Sequence, residues 1–196
     1  MSEDHYRTLA ARAELAHKME RSEFLGIAFP IASEDDFFAE LKRVQKKHFD
    51  ATHHCWAFRL FADGRSRSSD AGEPSGTAGK PILAAIEGAD VHDLGVIVVR
   101  WYGGVKLGTG GLSRAYRETA ADTLRNAPLL DRYVYERVVV IVPFDAISPV
   151  YRLVDPPDVV LVEQRYGERN EFVFDVRASQ ADAFRARLVE LRLTLP

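Results

Sequence analysis

Apolar residues recur along this chain with two periods. Residues 18–31 start polar and end in Phe24-Leu25-Gly26-Ile27-Ala28-Phe29-Pro30-Ile31, which reads as one strand. Ser33-Glu34-Asp35-Asp36 then supplies a serine cap with an acid at the third helical position. Phe37, Phe38, Leu41, Val44 and Phe49 mark one face of the helix that follows. His53 to Phe61 predicts a strand closed by the turn Ala62-Asp63-Gly64-Arg65. Pro81 to Ile86 predicts a short helix, with Pro81 in its first turn and Gly88 closing it. Leu94 to Val99 is a near-continuous apolar run, the pattern of a strand buried on both faces. Leu112, Ala115, Tyr116, Thr119, Ala120, Leu124 and Ala127 return to helical spacing.

The texture changes after a linker expected at 128–132. Val134 to Val142 reads as a strand, and Ile147, Val150, Tyr151 and Val154 as a helix stopped by Pro156-Pro157. Val159 to Arg165 and Phe172 to Val176 form a hairpin through Gly167-Glu168-Arg169-Asn170. Ser179 is expected to cap a last helix bearing Ala181, Phe184, Leu188 and Leu191, and Leu193 to Leu195 to add a final strand. That order, β-α-β-β-α-(β), is ferredoxin-like. The expected class is therefore α+β, with one domain over 1–130 and a ferredoxin-like domain over 131–196.

Composition narrows the classes of function. With 46% apolar and 28% charged residues, the 196-residue chain fits an ordinary globular protein of one large or two small domains. No apolar run reaches the ~18 residues of a membrane span. Ser2-Glu3-Asp4-His5 does not open a signal peptide. A single cysteine, Cys55, excludes an intrachain disulfide framework, so a cytoplasmic location is expected. The net charge of −3 gives no general pull toward nucleic acid. Yet residues 59–117 hold eight basic and six acidic side chains, a local net of +2.

That stretch also concentrates glycine. Eight of the thirteen glycines lie in two segments, Gly72 to Gly79 and Gly103 to Gly111. Glycine there signals left-handed backbone or close approach of another group. The second segment, Gly103 to Gly111, follows a buried strand and opens a helix, so its amides and the helix dipole can hold an anion. It is not a P-loop, because Thr109 stands where Lys is required, and no third glycine completes a dinucleotide fingerprint. Either a phosphate or nucleic-acid backbone contact or a structural tight turn explains it. The charged partners would be Lys80, Arg100, Lys106 and Arg114, with Gly103, Gly104, Gly108, Thr109, Gly110 and Gly111 supplying amides. Asp70 and Glu73 in the first segment offer metal binding or acid–base chemistry. Capping of amides, or pairing with Arg65, Arg67 or Lys80, accounts for them without chemistry and is the favoured reading, because no third acidic or histidine ligand sits nearby in sequence. His53, His54 and Cys55 alternate across a strand and cannot easily share one ion. Cys55 reads as a small buried hydrophobe. Ser75 and Ser113 lack a nucleophile elbow. Trp101 and Tyr102 could stack on bases or anchor the loop. No cofactor, metal site or catalytic residue is assigned, and an enzymatic role is left open.

Gly72-Glu73-Pro74-Ser75-Gly76-Thr77-Ala78-Gly79-Lys80-Pro81 and Val98 to Leu112 together closely resemble the signature of the IMPACT family, bacterial YigZ type. The likeness covers roughly residues 15–130, and His53-His54-Cys55 looks like a family element. In the family two adjacent Asp often precede Gly-Glu-Pro; here Ala71 follows Asp70. The resemblance implies an N-terminal domain like domain IV of elongation factor G, the fold of the second domain of a small-subunit ribosomal protein. It implies a C-terminal domain like domain V of the same factor. Eukaryotic members resemble regulators of translation and carry an additional partner-binding module that is not carried over to this chain. Some bacterial relatives are described as proline dipeptidases, for which no metal-ligand set is visible. The expected function is translation regulation by RNA or ribosome binding through the glycine segments. The alternatives are an enzyme or binding protein for a small phosphorylated or acidic ligand held at Gly103–Gly111, and a protein-interaction module.

Overall fold

In the structure, a computed structural model, residues 4–193 are described. The chain opens with β1 (His5–Leu9), β2 (Ala13–Met19) and β3 (Ser22–Pro30). Then come α1 (Glu34–Lys47), β4 (His53–Arg59), β5 (Ser66–Ser69), α2 (Gly79–Ala89), β6 (Leu94–Trp101), α3 (Gly108–Arg125) and β7 (Leu129–Tyr133). The Ser33 cap is present: its hydroxyl accepts from the Asp36 amide at 3.1 Å. Five strands form an antiparallel sheet in the order β2-β3-β6-β4-β5.

Helices cover both faces of this sheet, which explains the apolar run of β6. Val96 and Val98 join Phe24, Cys55 and Ala57 under Ile82 and Ile86 of α2 and Ala115, Tyr116 and Ala120 of α3. Ile97 and Val99 join Ile27, Trp56 and Phe58 under Phe37, Leu41 and Val44 of α1. Alternate side chains of one strand thus enter two cores, and both sets must be apolar.

Four expectations for this part are corrected. Residues 18–31 are not one strand: β2 and β3 form a hairpin turning at Glu20, whose φ is +52°. β2 lies at the sheet edge and alternates half-buried with exposed positions, so it carries little apolar signal. Phe49 is not on the helix face; it lies beyond α1 and is 85% exposed. Gly88 does not close α2, which runs to Ala89 and ends on Asp90 in a left-handed conformation. The expected linker at 128–132 contains β7, which pairs with β1 in a two-stranded sheet.

The chain divides into two compact units, one spanning Tyr6–Asp131. The described residues of the other are 4, 5 and 132–193. Its elements are β8 (Tyr135–Val142), α4 (Ile147–Tyr151), β9 (Val159–Arg165), β10 (Asn170–Arg177) and α5 (Ala181–Glu190). The sheet is antiparallel in the order β8-β10-β9. Val138, Val140, Phe172, Phe174 and Val176 pack with Val150, Phe184 and Leu188. Ser179 does not cap α5; it sits in a 3-10 turn, and its amide donates to Asp4 Oδ2 at 2.9 Å. The expected terminal strand extends outside the described residues. The fold is α+β, with β-α-β-β-α order in the second unit.

Candidate nucleic-acid interface

β5 and β6 run in the same direction, since each is antiparallel to β4 between them. Both end at one end of the sheet, and both hand the chain to a glycine-rich segment and then a helix. α2 and α3 therefore start side by side. Glu73, from the first segment, ties the two together. Its Oε1 accepts from Arg100 Nη1 of β6 at 2.6 Å and from the Tyr116 hydroxyl of α3 at 2.7 Å. Arg100 Nη2 donates to Ser22 Oγ at 3.2 Å. Glu73, Arg100 and Tyr116 are buried, so the charges are compensated by each other rather than by water. Desolvation pushes the Tyr116 hydroxyl far above its ordinary pKa, which keeps it a donor.

Asp70 has a different task. Its Oδ1 accepts from the amides of Ala78 and Gly79 at 2.9 and 2.8 Å, and Oδ2 from Gly76 at 2.8 Å. Burial alone would raise its pKa; the three amides, helped by Lys80, outweigh it and hold the carboxyl below the usual range. Asp70 and Glu73 thus spend their carboxylates on different partners, backbone amides for one and the Arg100 and Tyr116 side chains for the other. Among the described residues no group of three or more His, Cys, Asp or Glu could hold a metal ion.

The neighbouring strand β4 supports the first segment. The Ala71 carbonyl can only accept, so His53 Nδ1 carries the proton that bridges them at 3.0 Å. That leaves His53 Nε2 3.9 Å from Glu73 Oε2. Cys55 donates its thiol to the Asp70 carbonyl at 2.9 Å, and burial pushes its pKa up to about 12. A thiol so protonated is a packing group, not a nucleophile.

The second segment is shaped by close approach. A Cβ on Gly103 would lie 1.7 Å from the Arg21 carbonyl oxygen, and Gly104 has φ +85°. Gly108, Thr109, Gly110 and Gly111 belong to the first turn of α3 rather than to a loop. The residue before that turn, Leu107, makes no side-chain cap, and the turn carries no acid. Lys80, Lys106 and Arg114 are exposed and make no ion pair among the described residues. Arg100 is set apart from them by its burial: its guanidinium faces Glu73, not solvent.

The Impact N-terminal domain family matches residues 20–124, more than half of the chain and the whole of this arrangement. The chain belongs to the IMPACT family. An IMPACT family member from Thermus thermophilus is 43% identical over 69% of this chain and 73% of its own length. The IMPACT family member YigZ of Escherichia coli is 39% identical over 59% and 58%. A crystal structure of a hypothetical protein covers 98% of this chain and 96% of its own, at 27% identity and a TM-score of 0.69.

Within this IMPACT domain, sequence reasoning missed Tyr116 and Ser22 as members of the buried network. Tyr116 was legible only as one apolar position on a helix face, and a buried tyrosine needs a partner for its hydroxyl. Its helical spacing gave no sign of which partner. Ser22 begins a strand whose start the pattern did not reveal.

Proposed function

We propose that this chain binds RNA or the ribosome and modulates translation, through the end of the sheet where α2 and α3 begin. One contrast supports the site. Asp70 already satisfies the leading amides of α2, whereas the first turn of α3 has no capping side chain and no acid. Free amides and a positive helix end favour an anion there. Lys106 and Arg114 flank that turn, and Lys80 sits at the neighbouring helix start. Arg100 acts from beneath by holding Glu73, and through it the spacing of the two segments. The family resemblance supports the process: its eukaryotic members resemble regulators of translation. The reading also carries a cytoplasmic location. Among the described residues no helix is long and apolar enough to cross a membrane.

Phosphate contacts supply affinity and salt dependence rather than sequence choice. Filter binding of ribosomal RNA across a salt series tests the site. Replacing Lys106 and Arg114 together by Ala should weaken binding and lower the salt slope by about 1.4 to 1.8, two contacts' worth. An unchanged affinity and slope would remove this face from the function.

The open turn of α3 also supports a small phosphorylated or acidic ligand. Inorganic phosphate at about 100 times its dissociation constant would stabilise the fold by about 2.7 kcal/mol. A Tm unmoved by phosphate at matched ionic strength would dismiss that second reading.

A further inference from the structure

The five-stranded sheet has two unequal edges. β5 is four residues long and carries the exposed Arg67, the short and charged form that keeps an edge from pairing. β2 is seven residues long, without proline, glycine or a break in its register with β3. Among the described residues no strand and no loop backbone pairs with its outer side. The parity of the sheet identifies the backbone groups left open there. The Ile31 amide donates to the Asp93 carbonyl at 2.9 Å, in register with the β3–β6 ladder. Odd-numbered residues of β3 therefore bond to β6, and Ser22, Phe24, Gly26 and Ala28 bond to β2. Their partners in β2 are Met19, His17, Leu15 and Ala13. The N–H and C=O groups of Glu14, Ala16 and Lys18 consequently point away from the sheet.

The side chains of these three residues share the exposed face of the strand. Ala13 and Met19, on the other face, pack on the core beneath α2 and α3 and hold the edge in place. The exposed row is negative, neutral, positive, and that order decides what fits it. A second copy of β2 laid antiparallel, with Ala16 opposite Ala16, sets Glu14 opposite Lys18 on both sides of the centre. Each of these facing pairs also exchanges its open N–H and C=O groups. Lys18 already lies 2.6 Å from Glu23 of β3, and Glu14 lies 2.8 Å from Arg12, so the charges continue to alternate across the seam. Other two-fold registers fail on charge. Centring on Glu14 or Lys18 sets like charges face to face, centring on Leu15 sets Lys18 opposite Arg12, and centring on His17 sets Glu14 opposite Glu20. A two-fold pairing also closes on itself and leaves neither β2 edge free for further growth.

We propose that two copies of this chain pair through β2 in the register centred on Ala16, joining their five-stranded sheets into one. The pairing uses the sheet edge and none of the residues assigned to RNA, so it stands or falls independently of RNA binding. Sedimentation velocity of the full chain over a concentration series tests it. The native chain should sediment as a dimer, at twice 22.0 kDa. Ala16→Pro should be monomeric. The N–H it removes points outward, so the sheet within one chain keeps its bonds and the far-UV circular dichroism should be unchanged. Glu14→Lys and Lys18→Glu each set two like-charged pairs across the seam, and each should weaken dimerisation at least about tenfold. Mixed in equal amounts, these two variants should pair with each other, because every facing charge pair is again opposite in sign. Neither misfolding nor pairing through another surface would produce that recovery, so the charge variants decide the matter even if Ala16→Pro disturbs the fold. A native chain still monomeric at about 100 μM would overturn the proposal. So would a dimer that a folded Ala16→Pro chain retains, or a mixture of the charge variants that pairs no better than either alone.

Discussion

At the scale of single residues, Glu73 is the side chain on which the site depends. Removing it leaves the Arg100 guanidinium buried without its ion-pair partner and takes away the acceptor of the Tyr116 hydroxyl. Breaking a buried pair from one side costs about 3–5 kcal/mol. Glu73→Ala should therefore lower the urea midpoint sharply, and a shift below about 1 kcal/mol would show that water replaces the carboxylate. Asp70 makes a pH-dependent contribution. Its folded pKa lies below the unfolded value of about 3.9, so its stabilisation is complete above that pH. It is lost as pH falls further, through the folded pKa. Asp70→Asn should be less stable than the native chain at pH 7, and the gap should close in acid below about pH 4; a gap constant down to pH 2 would contradict this. Cys55 should resist iodoacetamide in the folded protein and react once unfolded, as a buried thiol with a pKa near 12 requires. Rapid native labelling would place it at an accessible surface instead.

At the scale of elements, legibility followed burial. The run Leu94 to Val99 announced a strand covered on both faces, and β6 is one, at the centre of its sheet. Ser33 and the acids after it announced the start of α1, and the cap is made. β2 and β7 escaped because edge or ribbon strands bury few side chains, so their apolar period is faint. Ser179 resembled a cap by residue type, but its amide is taken by Asp4, a partner 175 positions away that no local pattern encodes. The glycine segments showed where the backbone had to be special, not why. Gly103 is required by the Arg21 carbonyl, on a hairpin the pattern did not resolve. Gly103→Ala should accordingly destabilise the fold, since a Cβ at 1.7 Å from a carbonyl oxygen forces the two segments apart. An unchanged Tm would mean that the hairpin turn yields freely.

At the scale of the molecule, the local excess of basic residues identified a region but not its working surface. Sequence placed Arg100 among the phosphate contacts because it is a cation beside a glycine segment. Folding turns it inward, since position 100 in β6 faces Glu73 and Ser22, and charge counting carries no direction. Lys80, Lys106 and Arg114 stay exposed, at the starts of two helices that a chain of net charge −3 brings together. The aromatic neighbours gave a mixed signal: Trp101 is an anchor to Asp50, whereas Phe49, read as a core position, is the most exposed ring of this unit. The proposed function therefore turns on whether this end of the sheet meets RNA. Co-sedimentation of the full chain with ribosomes and separated subunits, at about 50 and about 200 mM salt, tests that most directly. Retention that weakens with salt and is lost in the Lys106→Ala/Arg114→Ala protein is the predicted result. No association at either salt, or retention indifferent to both salt and the double substitution, would contradict it.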